Sequence, residues 1–108
     1  MLNQVVLVGR LVDNPTTKEL EEGKVVCNIT LAVQRSYKNI NGEYETDFIT
    51  CVLWNSMAQN TCEYCHKGDV VGVKGRLQTR KIDDKNVLEV VAEKVTFLSS
   101  NNNKESED

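Results

Sequence analysis

Cys62-Glu63-Tyr64-Cys65-His66 is the segment whose residue types most invite chemistry. The spacing Cys-x-x-Cys-His is that of covalent haem attachment, and Cys-x-x-Cys alone is that of a thioredoxin-like redox pair. With Cys27 and Cys51 added, the chain offers four sulfur donors to a zinc ion. The surroundings weigh against each reading. Haem attachment belongs outside the cytoplasm, yet Met1-Leu2-Asn3-Gln4 has neither a positive n-region nor a long apolar stretch. A redox thiol needs a low pKa, typically at a helix N-terminus, and this pair lies near the end of a predicted helix, where the dipole raises it. A tetrahedral zinc site needs its four ligands close together, and the usual knuckle turns are missing. On a helix, Cys62 and Cys65 join Ala58 and Thr61 in one apolar stripe, as small buried hydrophobes do. His66 reads as a solvated helix-end residue. There is no G-x-S-x-G motif or P-loop, and the carboxylates are scattered through turns. No catalysis, metal or cofactor is expected.

A second grouping is a row of aromatics and a row of bases. Phe48 and Trp54 share parity in the alternating run Glu45–Trp54, so they leave one sheet face about 20 Å apart. Ile49, Cys51 and Leu53 take the other face. In Val70–Lys81, the residues Lys74, Arg76, Gln78 and Arg80 share one parity, opposite Val71, Val73 and Leu77. Lys38, beside Tyr37 in a loop, and Lys67 at the helix end add charge. Alone, the aromatics also fit under a loop or in a subunit contact, and the bases fit a solvated strand face. Together they supply what a single nucleic-acid strand needs, since bases stack on π-faces while cations follow the phosphates, with little preference among bases.

The elements that must position these rows follow from periodicity. Gln4–Val12 reads as a strand whose Val5-Val6-Leu7-Val8 is apolar at both parities, which a central core strand or a second subunit covering the outer face would explain. Thr17–Leu20 fits a short strand. Val25–Arg35 alternates, with Val25, Cys27, Ile29, Leu31 and Val33 on one side. Ser36–Tyr44 reads as a loop around Asn41-Gly42. Ser56–Lys67 is the one predicted helix, with a Ser56/Gln59 capping box and Gly68 as its C-terminal cap. Ile82–Asn86 reads as a polar connection before the last strand, Val87–Leu98. Gly72 and Gly75 mark bends of the kind barrels use. Three strands, a helix and two strands predict an all-β class, a five-stranded OB-fold barrel with one helix between strands 3 and 4. The domain is expected over residues 1–98, with a polar, acidic, disordered tail over 99–108.

The 108 residues suffice for one domain, and no apolar run approaches a membrane span. A cytoplasmic setting is expected, with the cysteines reduced. The net charge is −3, but the last eight residues hold one Lys and three acids, which leaves −1 on the body. Nucleic-acid binding then depends on where the charge sits.

Five stretches in this order resemble the bacterial-type single-stranded DNA-binding protein family: VVLVGRL from Val5, NITLAV over Asn28–Val33, ETDFITCVLW over Glu45–Trp54, KGDVVGVKGRLQTR over Lys67–Arg80 and EVVAEKVTFL over Glu89–Leu98. The resemblance covers Met1 to about Leu98. It implies an OB fold that coats single-stranded DNA in replication, recombination or repair, on the nucleoid. It implies a homotetramer with first strands paired between subunits, placing Gln4, Val6 and Val8 in the interface. It implies base stacking at Tyr37, Phe48 and Trp54, and phosphate contacts at Lys38, Lys67, Lys74, Arg76, Arg80 and Lys81. The rival reading is a primosome-type OB accessory protein that acts mainly through protein contacts. Two features depart from the family. Ile82 replaces an aromatic usual in the hairpin after Arg80, and that hairpin, Lys81–Val87, is short. The chain also lacks the acidic Pro-Phe tip that partner enzymes read, so either that recruitment is absent or the chain is a shortened form.

Overall fold

A computed structural model describes residues 1–100. The alternation from Val25 to Leu31 becomes the inner face of a long strand, with Val25, Cys27, Ile29 and Leu31 buried. Six strands and one α-helix follow in order: β1 (Val5–Leu11), β2 (Lys18–Glu19), β3 (Val25–Lys38), β4 (Tyr44–Trp54), α1 (Asn55–Tyr64), β5 (Val70–Ile82) and β6 (Lys85–Ser99). The order β1-β5-β6-β4-β3 closes on itself because β1 also meets β3, at Arg10 and Leu11. Closure removes most open edges and gives the five-stranded OB barrel, with β2 as a two-residue addition to the edge of β3. α1 lies between β4 and β5 in the chain, the place expected of it once the short β2 is counted, and it packs chiefly on β3. The interior is filled by Leu31, Cys51, Leu53, Val71 and Val73. Among the described residues no helix is long and apolar enough to cross a membrane.

Several boundaries differ from the sequence reading, each for a local reason. β3 runs on to Lys38, and the expected loop shrinks to 39–43. Asn39 holds that turn, its Oδ1 accepting bonds from the Asn41 and Glu43 N–H groups at 2.9 and 3.0 Å. The expected polar connection after Lys81 is only the pair Asp83-Asp84, both with positive φ, so β5 and β6 pair up to Ile82 and Lys85. Two left-handed residues are what a tight hairpin turn demands, and aspartate tolerates that conformation. The Ser56/Gln59 capping box does not form, since no side chain caps α1 and its N-cap position is Trp54. Instead Asn55 is left-handed, and its Oδ1 accepts a bond from the Val25 N–H at 3.2 Å. α1 ends at Tyr64 with Cys65 at its C-cap, and Gly68 serves a later turn in which the Asp69 N–H reaches the His66 carbonyl at 3.0 Å. Gln4 lies just before β1. β6 runs to Ser99, and residues 101–108, most of the expected tail, lie outside the described residues.

At Gly75 the backbone of β6 leaves no space for a side chain on β5. A Cβ there would stand 2.2 Å from the Val91 carbonyl oxygen. The register steps from Lys74↔Lys94 to Gly75↔Ala92, so Glu93 is an extra residue in a bulge that bends the pair around the barrel. Gly75→Ala is expected to lower stability in urea denaturation by about 1–3 kcal/mol. At Gly72 a Cβ meets nothing nearer than 3.6 Å, and Gly72→Ala is expected to stay within about 0.5 kcal/mol. Equal losses at the two positions would contradict the close approach.

Candidate nucleic-acid interface

β4 is the strand that positions the aromatics. Cys51 and Leu53 are fully buried, so residues of the opposite parity must leave the barrel. Phe48 is 67% exposed and Trp54 39%, while Val52 between them is sunk into the surface. The cross-strand neighbours on β3 are Ala32 beside Phe48, Thr30 beside Thr50, Asn28 beside Val52 and Val26 beside Trp54, none of them aromatic. A stacking ring there is not crowded by its neighbours. Tyr37, 65% exposed, stands near the tip of the β3–β4 arm, on a strand rather than in the expected loop. At that tip Lys38 reaches over the Tyr44 ring, Nζ 5.7 Å from its centre.

Trp54 opens onto a groove of about 330 Å³ whose other walls include Asn28, Val52, Gln78, Arg80 and Glu89. Phe48 borders a second, more apolar groove of about 380 Å³ with Leu7, Ile49, Leu77 and Leu88, and Glu89 lines both. Arg80 and Arg76 are exposed but held. Arg80 Nη2 lies 3.4 Å from Glu89 and Arg76 Nη1 lies 3.5 Å from Glu93, both acids being on β6. Gln78 Oε1 also accepts a bond from Arg76 at 3.3 Å. These partners aim the two guanidinium groups across the surface and restrain rotamers that binding would otherwise have to order.

The expected basic set is not one cluster. Arg80 lines the Trp54 groove with Gln78, Arg76 shares their parity on β5, and Lys81 follows at the exposed end of the hairpin. Lys74, on β5, pairs with Val6 of β1 on one side and Lys94 of β6 on the other. Lys67 sits in the turn after α1, its N–H donating to Asn14 Oδ1 at 2.7 Å. A ten-residue helix puts that turn about 15 Å from Trp54. Val6 and Val8, 67% and 54% exposed, form an apolar outer face on β1, with Gln4 exposed just before them. As expected from their parity, Cys27 and Cys51 point into the barrel, and Cys65 is buried under α1. Burial pushes the Cys51 thiol up to about 11. No three of the described His, Cys, Asp and Glu residues come together in a way that could hold a metal ion.

A family model described as "Single-strand binding protein family" matches residues 2–98. The chain belongs to that family. It is 47% identical over 103 residues, 91% of each chain, to "Single-stranded DNA-binding protein B" of Bacillus subtilis (strain 168). It is 47% identical over 108 residues, 95% of this chain and 68% of the relative, to "Single-stranded DNA-binding protein 2" of Listeria monocytogenes serovar 1/2a. It is 48% identical over 103 residues, 91% of this chain and 61% of the relative, to "Single-stranded DNA-binding protein" of Halalkalibacterium halodurans.

Two features of the interface escaped the sequence reading. One is Glu89, a nearly buried acid at the boundary of the two grooves, whose only sequence signal is a charge inside an apolar strand. The other is the clamp of Arg35 on Asp47, at 2.9 and 3.0 Å, and on Glu45 at 3.0 Å, which ties β3 to β4 between Tyr37 and Phe48. The Arg35 hydrogen bond holds the Asp47 carboxyl below the usual range. A lowered pKa means the clamp stabilises fully above the ordinary carboxylate range and weakens as pH falls through the folded value. An NMR titration should find the Asp47 midpoint depressed, and Arg35→Gln should raise it into the ordinary carboxylate range. A midpoint unmoved by Arg35→Gln would contradict the clamp.

Proposed function

We propose that this protein binds single-stranded DNA with little sequence specificity and protects it in replication, recombination or repair. Bases stack on Tyr37, Phe48 and Trp54. Phosphates are met by Lys38, Arg76, Arg80 and Lys81, with Lys67 and Lys74 serving only a strand that continues around the subunit. The observation that carries this reading is a single groove lined by both Trp54 and Arg80, a stacking surface and a cation within one recess. Single-strand binding proteins are themselves the standing example of this mode of recognition. The protein is a binding protein and not an enzyme, in keeping with its family. The primosome-type accessory role is less favoured, because the relatives named above are called single-stranded DNA-binding proteins.

The working form is proposed to be a homo-oligomer, a tetramer on the family pattern, acting in the cytoplasm on the nucleoid. Support comes from β1. Among the described residues it pairs with β3 only at Arg10 and Leu11, so its edge is open over the preceding residues. Its outward Val6 and Val8 form an uncovered apolar face. An open edge beside such a face is a template for a second copy, with Gln4 at its end. Neither Val6 nor Val8 lines the Trp54 groove.

The test is the binding of labelled oligo-dT by fluorescence anisotropy over a salt series. Neutralising four to six phosphates predicts that log affinity falls against log salt with a slope of about −3 to −4. A slope near zero would remove the phosphate contacts. Micromolar or weaker affinity would favour the accessory role.

A further inference from the structure

The cysteines are the reactive side chains that DNA binding leaves unused. Cys27 on β3 is buried and Cys62 on α1 is partly exposed, and their Sγ atoms stand 3.6 Å apart although they are 35 positions apart in sequence. The pair lies close to Trp54 in the fold. Cys27 follows Val26, the strand partner of Trp54, and Trp54 is the N-cap of the helix that carries Cys62.

We propose that Cys27 and Cys62 form a reversible disulfide when the protein meets hydrogen peroxide, stapling α1 to β3 beside Trp54. The geometry selects this pair over Cys62 with Cys65. The Sγ atoms of Cys27 and Cys62 are already in contact, whereas Cys65 stands past the end of α1 on extended backbone. Closing the Cys27–Cys62 contact to a bond needs an approach of about 1.5 Å. Cys62, the accessible member, reacts first. Its thiolate attacks the peroxide O–O bond, giving a sulfenic acid and hydroxide, which takes up a proton to become water. The Cys27 sulfur then attacks the Cys62 sulfur. The S–O bond breaks, and the departing hydroxide leaves as water with the Cys27 proton. Two thiols lose two electrons and one peroxide becomes two waters. Burial, and then the bond to Cys62, push the Cys27 thiol up to about 12, so it stays protonated until Cys62 has been oxidised. Cys51, deep in the barrel, takes no part.

The inference is independent of DNA binding and is tested on the folded chain. The protein is treated with hydrogen peroxide, its remaining thiols are alkylated, and its peptides are mapped by mass spectrometry. The expected result is a 2 Da loss, two of the four cysteines still alkylated, a Cys27–Cys62 cross-linked peptide and full reversal by dithiothreitol. The oxidised form should also melt higher, by roughly 5 °C or more, because the bond closes a long loop. Cys27→Ser should let Cys62 proceed to the sulfinic acid. If that variant does not fold, the wild-type map decides. A Cys62–Cys65 link, a sulfinic Cys62 beside an intact Cys27, or four unchanged thiols would each overturn the proposal.

Discussion

Burial of Cys51 and Leu53 inside the barrel determines where Phe48 and Trp54 go. A strand turns alternate side chains to opposite faces, and the core of this barrel is filled by aliphatic and sulfur side chains. A slip of one residue between β3 and β4 would place two aromatic rings in the core and expose Leu53. That alternative is costly enough to fix the register, and with it the surface on which the aromatics stand. Closure depends on the same economy of space. β5 can cross β6 at Gly75 only because no side chain stands there, and the bulge at Glu93 then bends β6 so that its acids meet Arg76 and Arg80.

Charge works locally in this molecule. A net charge of −3 gives no overall attraction for a polyanion. The cations of the groove surface are instead paired with single acids, Arg76 with Glu93 and Arg80 with Glu89. The exposed Arg76–Glu93 pair contributes little to stability. The consequence of both pairs is orientation, since each guanidinium is held along the strand with donors left over for a second acceptor. Arg35 differs: Asp47 and Glu45 engage its Nε and both terminal nitrogens, so it stiffens the arm below Tyr37.

The barrel strands were readable because their signal is local. Alternation in Val25–Val33 and Glu45–Trp54 was enough to place Cys27, Cys51, Phe48 and Trp54 on the correct sides. Features set by contacts between distant segments were not readable. Nothing near Ser56 announces that Asn55 turns its side chain to Val25, which displaces the expected capping box. Tyr37 lay in an expected loop because the two bonds accepted by Asn39, which extend β3 and β4, depend on the folded turn. The shared parity of Lys74 with Arg76 and Arg80 was correct, yet its cross-strand partners Val6 and Lys94 set it on another part of the surface. Parity gives the side of a strand, and only register gives the neighbours.

The central claim is that a base stacks on Trp54, and this residue is the only tryptophan in the chain. Its fluorescence can therefore be followed alone while oligo-dT is added. Stacking predicts strong, saturable quenching that is similar for mixed sequences and weakens with salt. Binding that reaches saturation by an independent readout while Trp54 emission stays unchanged would contradict the account.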